Sequence, residues 1–341
     1  MAATMRDVAE EAGVALSTVS RVLNSRDDAW VSAATRERIL EAAKHLGYRS
    51  NPFARALSSG RSPVIVFVLG TQSDQAMATK AWTLHETVSG LGREVLTTHF
   101  AGHDPVRRLG GLLETIRPAA VAWLHPRPED SISELILQLH ADQTPVLLID
   151  CPAAPPADLP CDALIVDREQ GVRIAVQHFI EQGHRKIGII SWPESPRMSG
   201  YHAALADAGI TESFVEAIDG PTVPASGEEA ARRLLERHPD VTALFCHSDL
   251  LAVGAIKAIR DLGHEVPEDI ALAGFDDDPW APFLTVPLTT LSHPVGQLCE
   301  HTEELLRMRL EGDDRPFRRV ALQPKLVVRA SSSIGLSSTT T

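Results

Sequence analysis

The chain has 341 residues, 44% of them apolar, and a formal net charge of −13. That length allows two or three domains with a sizeable buried core, and 44% apolar content excludes an intrinsically disordered polymer. No stretch reaches the roughly twenty continuous apolar residues of a membrane span, and no hydrophobic signal core stands at the N-terminus, so no membrane association and a cytoplasmic location are expected.

The charge is unevenly placed. Residues 1–62 hold nine Lys/Arg against seven Asp/Glu, a net of +2, which leaves −15 for the remainder. A basic head on an acidic body is compatible with binding nucleic acid through the head alone. Cys151, Cys161, Cys246 and Cys299 show no paired metal-ligand spacing and are expected to be reduced thiols.

In chain order, Thr4 and Asp7 form a capping-box-like helix start, Val8, Ala9 and Ala12 give a small apolar face, and Gly13 allows a sharp turn, which predicts a helix over about 5–12. After the turn Val19, Val22 and Leu23 recur at helical spacing while Ser17, Thr18, Ser20 and Arg21 point elsewhere. Short polar and cationic side chains on one face suit a helix that enters the major groove, although an ordinary surface hairpin has the same pattern. Ser32 N-caps a third helix with Ile39, Leu40, Ala43 and Leu46 on its inner face, closed by Gly47. Asn51 and Pro52 start a helix of about two turns, too short to persist alone, ending before Ser58.

Residues 58–63 read as a joint, and 64–69 as a strand buried on both faces. Alternation follows: helix 76–91, strand 94–98, helix 105–116, strand 119–124, helix 131–140 and strand 146–149. A proline-rich break marks a lobe boundary near 160. Beyond it come strand 163–166, helix 170–182, strand 186–190, helix 198–208, strand 214–217, helix 227–237, strand 243–246, helix 250–262 and strand 270–273. The expected fold is α/β, a small helical head followed by two lobes of doubly wound parallel sheet.

The runs D-V-A-E-E-A-G-V, S-T-V-S-R-V-L-N, V-S-A-A-T-R-E-R-I-L-E-A-A, L-G-Y-R and A-R-A-L in the head, with G-H-R-K-I-G-I-I, S-D-L-L-A-V-G-A-I-K-A-I and V-P-E-D-I-A-L-A-G-F-D-D in the body, resemble the LacI/GalR (lactose-repressor-type) family of bacterial transcription regulators. The resemblance covers about residues 3–331. It implies a helix-turn-helix DNA-binding headpiece over 1–50, a hinge helix and linker over 51–62, and a periplasmic-binding-protein-like body over 63–330 for effector binding and dimerisation. Lobe 1 is placed at about 63–160 and 291–320, lobe 2 at about 161–290 and 321–330, and 331–341 as a disordered tail.

Carried over by position, Leu16, Ser17 and Arg21 are the base-reading candidates, while Thr4, Thr18, Ser20, Asn24, Ser32 and Thr35 hold phosphates. Leu57 matches the hinge leucine that wedges into the minor groove, with packing on its own domain as the alternative. For the effector the resemblance points to the strand-end residues Asp150, Arg197, Ser248, Asp249, Phe275 and Asp276. Asp249 as a helix cap and Phe275 as core are the plain alternatives, and the run 276–278 is an unconvincing metal site.

The chain departs from the family pattern at Ala15, at Ser50 and in the longer turn from Asn24 to Val31, which carries Asp27 and Asp28. Ser248 stands where an asparagine is frequent, and the loop after the first body strand lacks an aromatic pair, which leaves the effector's class open between a sugar, another small metabolite and none. The function implied is a homodimeric regulator, in this family usually a repressor, that binds a near-palindromic operator in double-stranded DNA under control of a small-molecule effector. A solute-binding protein shares the body fold, but the headpiece argues against it. No G-x-G-x-x-G, P-loop, G-x-S-x-G or H-E-x-x-H is present, so no catalytic residue, metal or cofactor is expected.

Overall fold

Thr4 N-caps α1 (Met5–Ala12): its Oγ1 accepts from the Asp7 amide, and the Asp7 carboxylate accepts from the Thr4 amide at 2.7 Å. In the computed structural model, which describes residues 3–24, 31–48, 62–70, 75–126 and 130–333, Gly13 then turns the chain at φ 62, ψ 40. α2 (Leu16–Asn24) and α3 (Ala33–His45) complete the head, with Ser32 capping α3 through the Thr35 amide. Val8, Ala12, Val19, Val22, Ile39, Ala42 and Ala43 form its core.

Leu40 is a correction: it is 47% exposed. At about 100° per residue it lies a quarter-turn beyond the face shared by Ile39 and Ala43, and Ala42 fills the core instead. The hinge over 51–61, Leu57 with it, lies outside the described residues.

The body comprises two six-stranded sheets. The first orders β11-β5-β4-β3-β1-β2, from β1 (Val64–Leu69), β2 (Glu94–His99), β3 (Ala120–Leu124), β4 (Val146–Cys151), β5 (Asp162–Val166) and β11 (Arg319–Leu322). The helices α4 (Gln75–Ser89), α5 (Pro105–Ile116), α6 (Asp130–Ala141) and α11 (Val295–Leu310) belong to this lobe. The second sheet orders β12-β10-β9-β8-β6-β7, from β6 (Ile187–Ser191), β7 (Phe214–Ala217), β8 (Ala243–Cys246), β9 (Ala271–Asp276), β10 (Thr289–Ser292) and an antiparallel edge β12 (Lys325–Val327). Its helices are α7 (Arg168–Glu181), α8 (Pro196–Asp207), α9 (Pro224–Arg237) and α10 (Asp249–Asp261). The central strands of both sheets are continuous apolar runs because helices cover both faces.

Two lobe boundaries differ from expectation. β5 does not open the second lobe; it runs parallel to β4, with Leu148 opposite Ala163, and to β11. Arg309 of α11 fastens it there through two hydrogen bonds to Asp162, at 2.8 and 3.0 Å. β10, expected to straddle the return to lobe 1, pairs along its full length with β9. The chain therefore crosses between lobes after Val166, after Ser292 and between Leu322 and Lys325. The tail also starts later: Ser331 and Ser332 are buried, Ser331 Oγ donates to Leu272 O at 2.7 Å, and Ser332 Oγ lies 2.7 Å from Thr289 Oγ1. These hydroxyls finish the edge of the second sheet where strand pairing stops. Residues 334–341 lie outside the described residues.

Candidate nucleic-acid interface and effector cleft

On α2, Leu16, Ser20, Asn24, Ser17 and Arg21 fall within an arc of about 140° at about 100° per residue, and the buried Val19 and Val22 fall outside it. Leu16 is 44% exposed and Ser17 and Arg21 are exposed, whereas Thr18 and Ser20 are half-buried. Ala15 offers α2 no side-chain oxygen as a cap, and its backbone carbonyl accepts from the Thr18 and Val19 amides. Thr4 and Ser32 stand at two further helix starts, with Thr35 Oγ1 2.9 Å from Ser32 Oγ. Small side chains around amide-rich helix ends make a surface that a phosphate backbone can approach closely.

The cleft in the body is built from strand C-termini of both sheets. Four of its residues take left-handed backbone conformations: His125 after β3 (φ 51), Asp150 in β4 (φ 57), and Asp276 and Asp277 at the end of β9 (φ 126 and 54). Such strain persists only where surrounding contacts hold it, and it clusters at ligand sites.

Asp150 is the hub. Its carboxylate is fully buried, accepts from Lys80 Nζ at 2.5 Å and from Arg168 Nη2 at 2.6 Å, and its backbone carbonyl lies 3.2 Å from His125 Nδ1. Burial alone would raise its pKa. Arg168 and Lys80, with hydrogen bonding to His125, outweigh burial and hold the carboxyl well below the usual range. Arg168 also donates to the carbonyls of Cys151 and Val166.

Across the cleft, His293 lies 3.4 Å from Lys80 through Nδ1 and 3.1 Å from Asp276 Oδ1 through Nε2. Burial, then the nearby Lys80, hold this imidazole well below its ordinary pKa. A neutral ring that accepts at Nδ1 and donates from Nε2 satisfies both neighbours. His247 is lowered likewise, by burial and then by Arg197 and Arg168, and its Nδ1 bonds Ser191 Oγ at 2.8 Å. Arg197, in the first turn of α8, lies 4.3 Å over the Phe275 ring, and Trp192 meets His247 edge-on.

Of the two sequence readings of Asp249, the helix cap is excluded by its neighbours. Ser248 is the helix cap, accepting from the Leu251 amide, so Asp249 is not. Asp249 Oδ1 accepts from Thr290 Oγ1 at 2.5 Å and Oδ2 from the Asp278 amide at 2.9 Å. It clamps the β9 loop to β10, and burial pushes its carboxyl up to about 7. Phe275 is fully buried, so it serves as core while its ring face carries Arg197. Asp150, Arg197, Phe275 and Asp276 thus come together, Ser248 stands beside them, and Asp249 works from behind. Lys80, His125, Arg168, His247 and His293 were not anticipated. The strand-end rule reaches His125 and His293, and Lys80 is the sole formal charge over residues 75–85.

A regulator with a helix-turn-helix head and a two-lobed binding-protein-like body is the class these features define. The family model described as bacterial regulatory proteins of the lacI family matches residues 4–51, and that of a periplasmic binding protein-like domain matches 176–332. The chain is 33% identical to the HTH-type transcriptional regulator CelR of Thermobifida fusca over 350 aligned positions, spanning 96% of this chain and 98% of CelR. Among solved structures, the lac repressor dimer bound to operator and the anti-inducer ONPF superposes with a TM-score of 0.81 at 26% identity, covering 97% of this chain and 99% of that one. A complex of CelR with cellobiose gives a TM-score of 0.69 at 30% identity, covering 97% and 100%. The chain belongs to the LacI family of DNA-binding bacterial transcription regulators. No helix among the described residues is long and apolar enough to cross a membrane.

Proposed function

We propose that the chain is a homodimeric repressor that binds a near-palindromic operator through two copies of its headpiece and is switched by a small molecule held between its lobes. Leu16, Ser17 and Arg21 read base edges, and Thr4, Thr18, Ser20, Asn24, Ser32 and Thr35 contact phosphates. Leu57 is the wedge at the operator centre. Asp150, Arg197, Ser248 and Asp276 face the effector, with Phe275 and Asp249 fixing the position of Arg197 and of the β9 loop. The observation that carries this reading is the pairing, in one chain, of a polar α2 face with a buried charged cleft joining two lobes. Dimerisation tethers two heads and raises the effective concentration of the second. An effector that changes the lobe angle can act on operator binding with a coupling of about 1–3 kcal/mol.

The test is a gel shift with inverted-repeat duplexes from the chain's own genomic neighbourhood, with and without candidate metabolites, and with residues 1–62 deleted. Retention by the intact protein, lost on deletion and altered by at least one metabolite, is expected. No preference for any inverted repeat over random duplex overturns the proposal.

A further inference from the structure

The geometry points to an anionic effector: we propose that the cleft takes a sugar or polyol bearing a carboxylate or phosphate, and that Lys80 and Arg168 receive its negative group. This rests on the reading of the cleft as an effector site.

Lys80 and Arg168 are each only 3% exposed and share one carboxylate, Asp150. The trio keeps one positive charge in excess. Among the described residues no carboxylate but Asp150 is bonded to either cation, and Asp276 is linked to Lys80 only through His293; an incompletely countered buried charge costs several kcal/mol, and a ligand anion would complete the pairing. Donor capacity agrees: an ammonium has three N–H groups, and Asp150 and His293 account for two of those on Lys80.

The field around the cleft has the same sign. Arg197 and Arg168 act on His247, and around His293 three cations, Lys80, Arg168 and Arg197, stand against two carboxylates, Asp150 and the Asp276 carboxylate 3.1 Å from Nε2. The Phe275 ring lies under the Arg197 guanidinium, so that aromatic face holds a cation and is not open to a sugar ring. Asp276, one imidazole beyond Lys80, can accept from ligand hydroxyls. An anionic group at one end and hydroxyls at the other is the pattern of a sugar acid or a sugar phosphate.

The test uses full-length protein at pH 7 and fixed ionic strength, with thermal shift and tryptophan fluorescence as readouts. Matched probes are D-glucose, D-gluconate and D-glucose 6-phosphate; D-galactose, D-galacturonate and D-galactose 6-phosphate; and cellobiose with cellobionate. An anionic member should bind at least ten-fold more tightly than its neutral parent, and which anion does so separates carboxylate from phosphate. Lys80→Met, checked by its own melting curve, should reduce that preference to near parity, and Lys80→Arg should retain it. A neutral parent that binds as tightly as its anions, or a preference that survives Lys80→Met, overturns the inference while leaving an effector site in place. If no probe of either kind shifts the melt or the operator complex, the anion and the effector reading fail together, and operator binding alone still stands.

Discussion

Arg168, the first residue of α7 in lobe 2, donates from Nη2 to Asp150 Oδ1 of lobe 1 at 2.6 Å, with both side chains removed from solvent. Lys80 of lobe 1 reaches the other oxygen of the same carboxylate, so one acid answers a cation from each lobe. Asp150→Ala leaves both without their carboxylate and is expected to destabilise the body by about 3–5 kcal/mol, the usual result of stranding a buried charge. Urea unfolding of the variant checks this. The double variant Asp150→Asn with Arg168→Met should lose less than the sum of the two single losses, because the second change removes a charge that the first had stranded.

Asp249 gives the body a pH dependence of unusual sign for a carboxylate. Its folded pKa of about 7 lies above the ordinary carboxyl value of 3.8. Its contribution to stability is therefore complete below about pH 4, declines as the pH rises between those values, and is gone above about 7, with a slope of at most about 1.4 kcal/mol per pH unit. His247 and His293 act in the opposite sense: their pKa values are lowered from 6.5, so they subtract stability as the pH falls below 6.5. The Asp249 contribution is isolated as the difference between wild type and Asp249→Asn in urea melts from pH 4 to 8. That difference should grow in favour of the variant with rising pH, since an amide can serve Thr290 and the Asp278 amide without a charge. A pH-independent difference would show that Asp249 does not titrate in this range.

Gly254 marks the closest approach of α10 to α9. A Cβ there would meet Pro224 O at 1.8 Å and Glu228 N at 2.5 Å, both backbone atoms that cannot turn aside. Gly254→Ala should force the helices apart and cost about 1–3 kcal/mol. Gly111, inside α5 with nothing within 4 Å of the same position, is the control: Gly111→Ala should be neutral or stabilising by up to about 1 kcal/mol. Thermal melts should fall for Gly254→Ala and stay level or rise for Gly111→Ala.

Arg21→Ala should weaken operator binding by about 1–3 kcal/mol and relax the preference at one base position if the guanidinium reads guanine. Equal loss on operator and random duplex would make Arg21 a phosphate clamp instead. For Leu57→Ala, specific binding should fall far more than non-specific binding, because a wedge acts only where the duplex kinks. Competition gel shifts at two salt concentrations separate these outcomes.

Most elements were legible from residue order, since caps, turns and apolar runs are local. Thr4 with Asp7, Ser32 and the run 64–69 each signal an element within a few positions, and each does so in the structure. Sheet neighbours are not local. Asp162–Val166 reads as a strand anywhere, and only Arg309, far along the chain, and the pairing with Arg319–Leu322 place it in lobe 1. The same limit applied to the cleft. Asp150 and Asp276 could be picked out as strand-end acids, but Lys80 sits inside a helix that otherwise reads as ordinary, and its role depends on an acid 70 positions away. Ser331 and Ser332 resemble the start of a disordered Ser/Thr tail until their hydroxyls are seen closing a sheet edge.

The three passages between lobes, after Val166, after Ser292 and between Leu322 and Lys325, make each lobe a patchwork of separate segments. Neither can be cut out as a contiguous cassette, cloned alone or grafted whole onto another regulator. Three short tethers side by side also oppose swivelling of one lobe on the other more strongly than bending. Opening or shutting the angle between the lobes is therefore the motion these three connections leave most readily available.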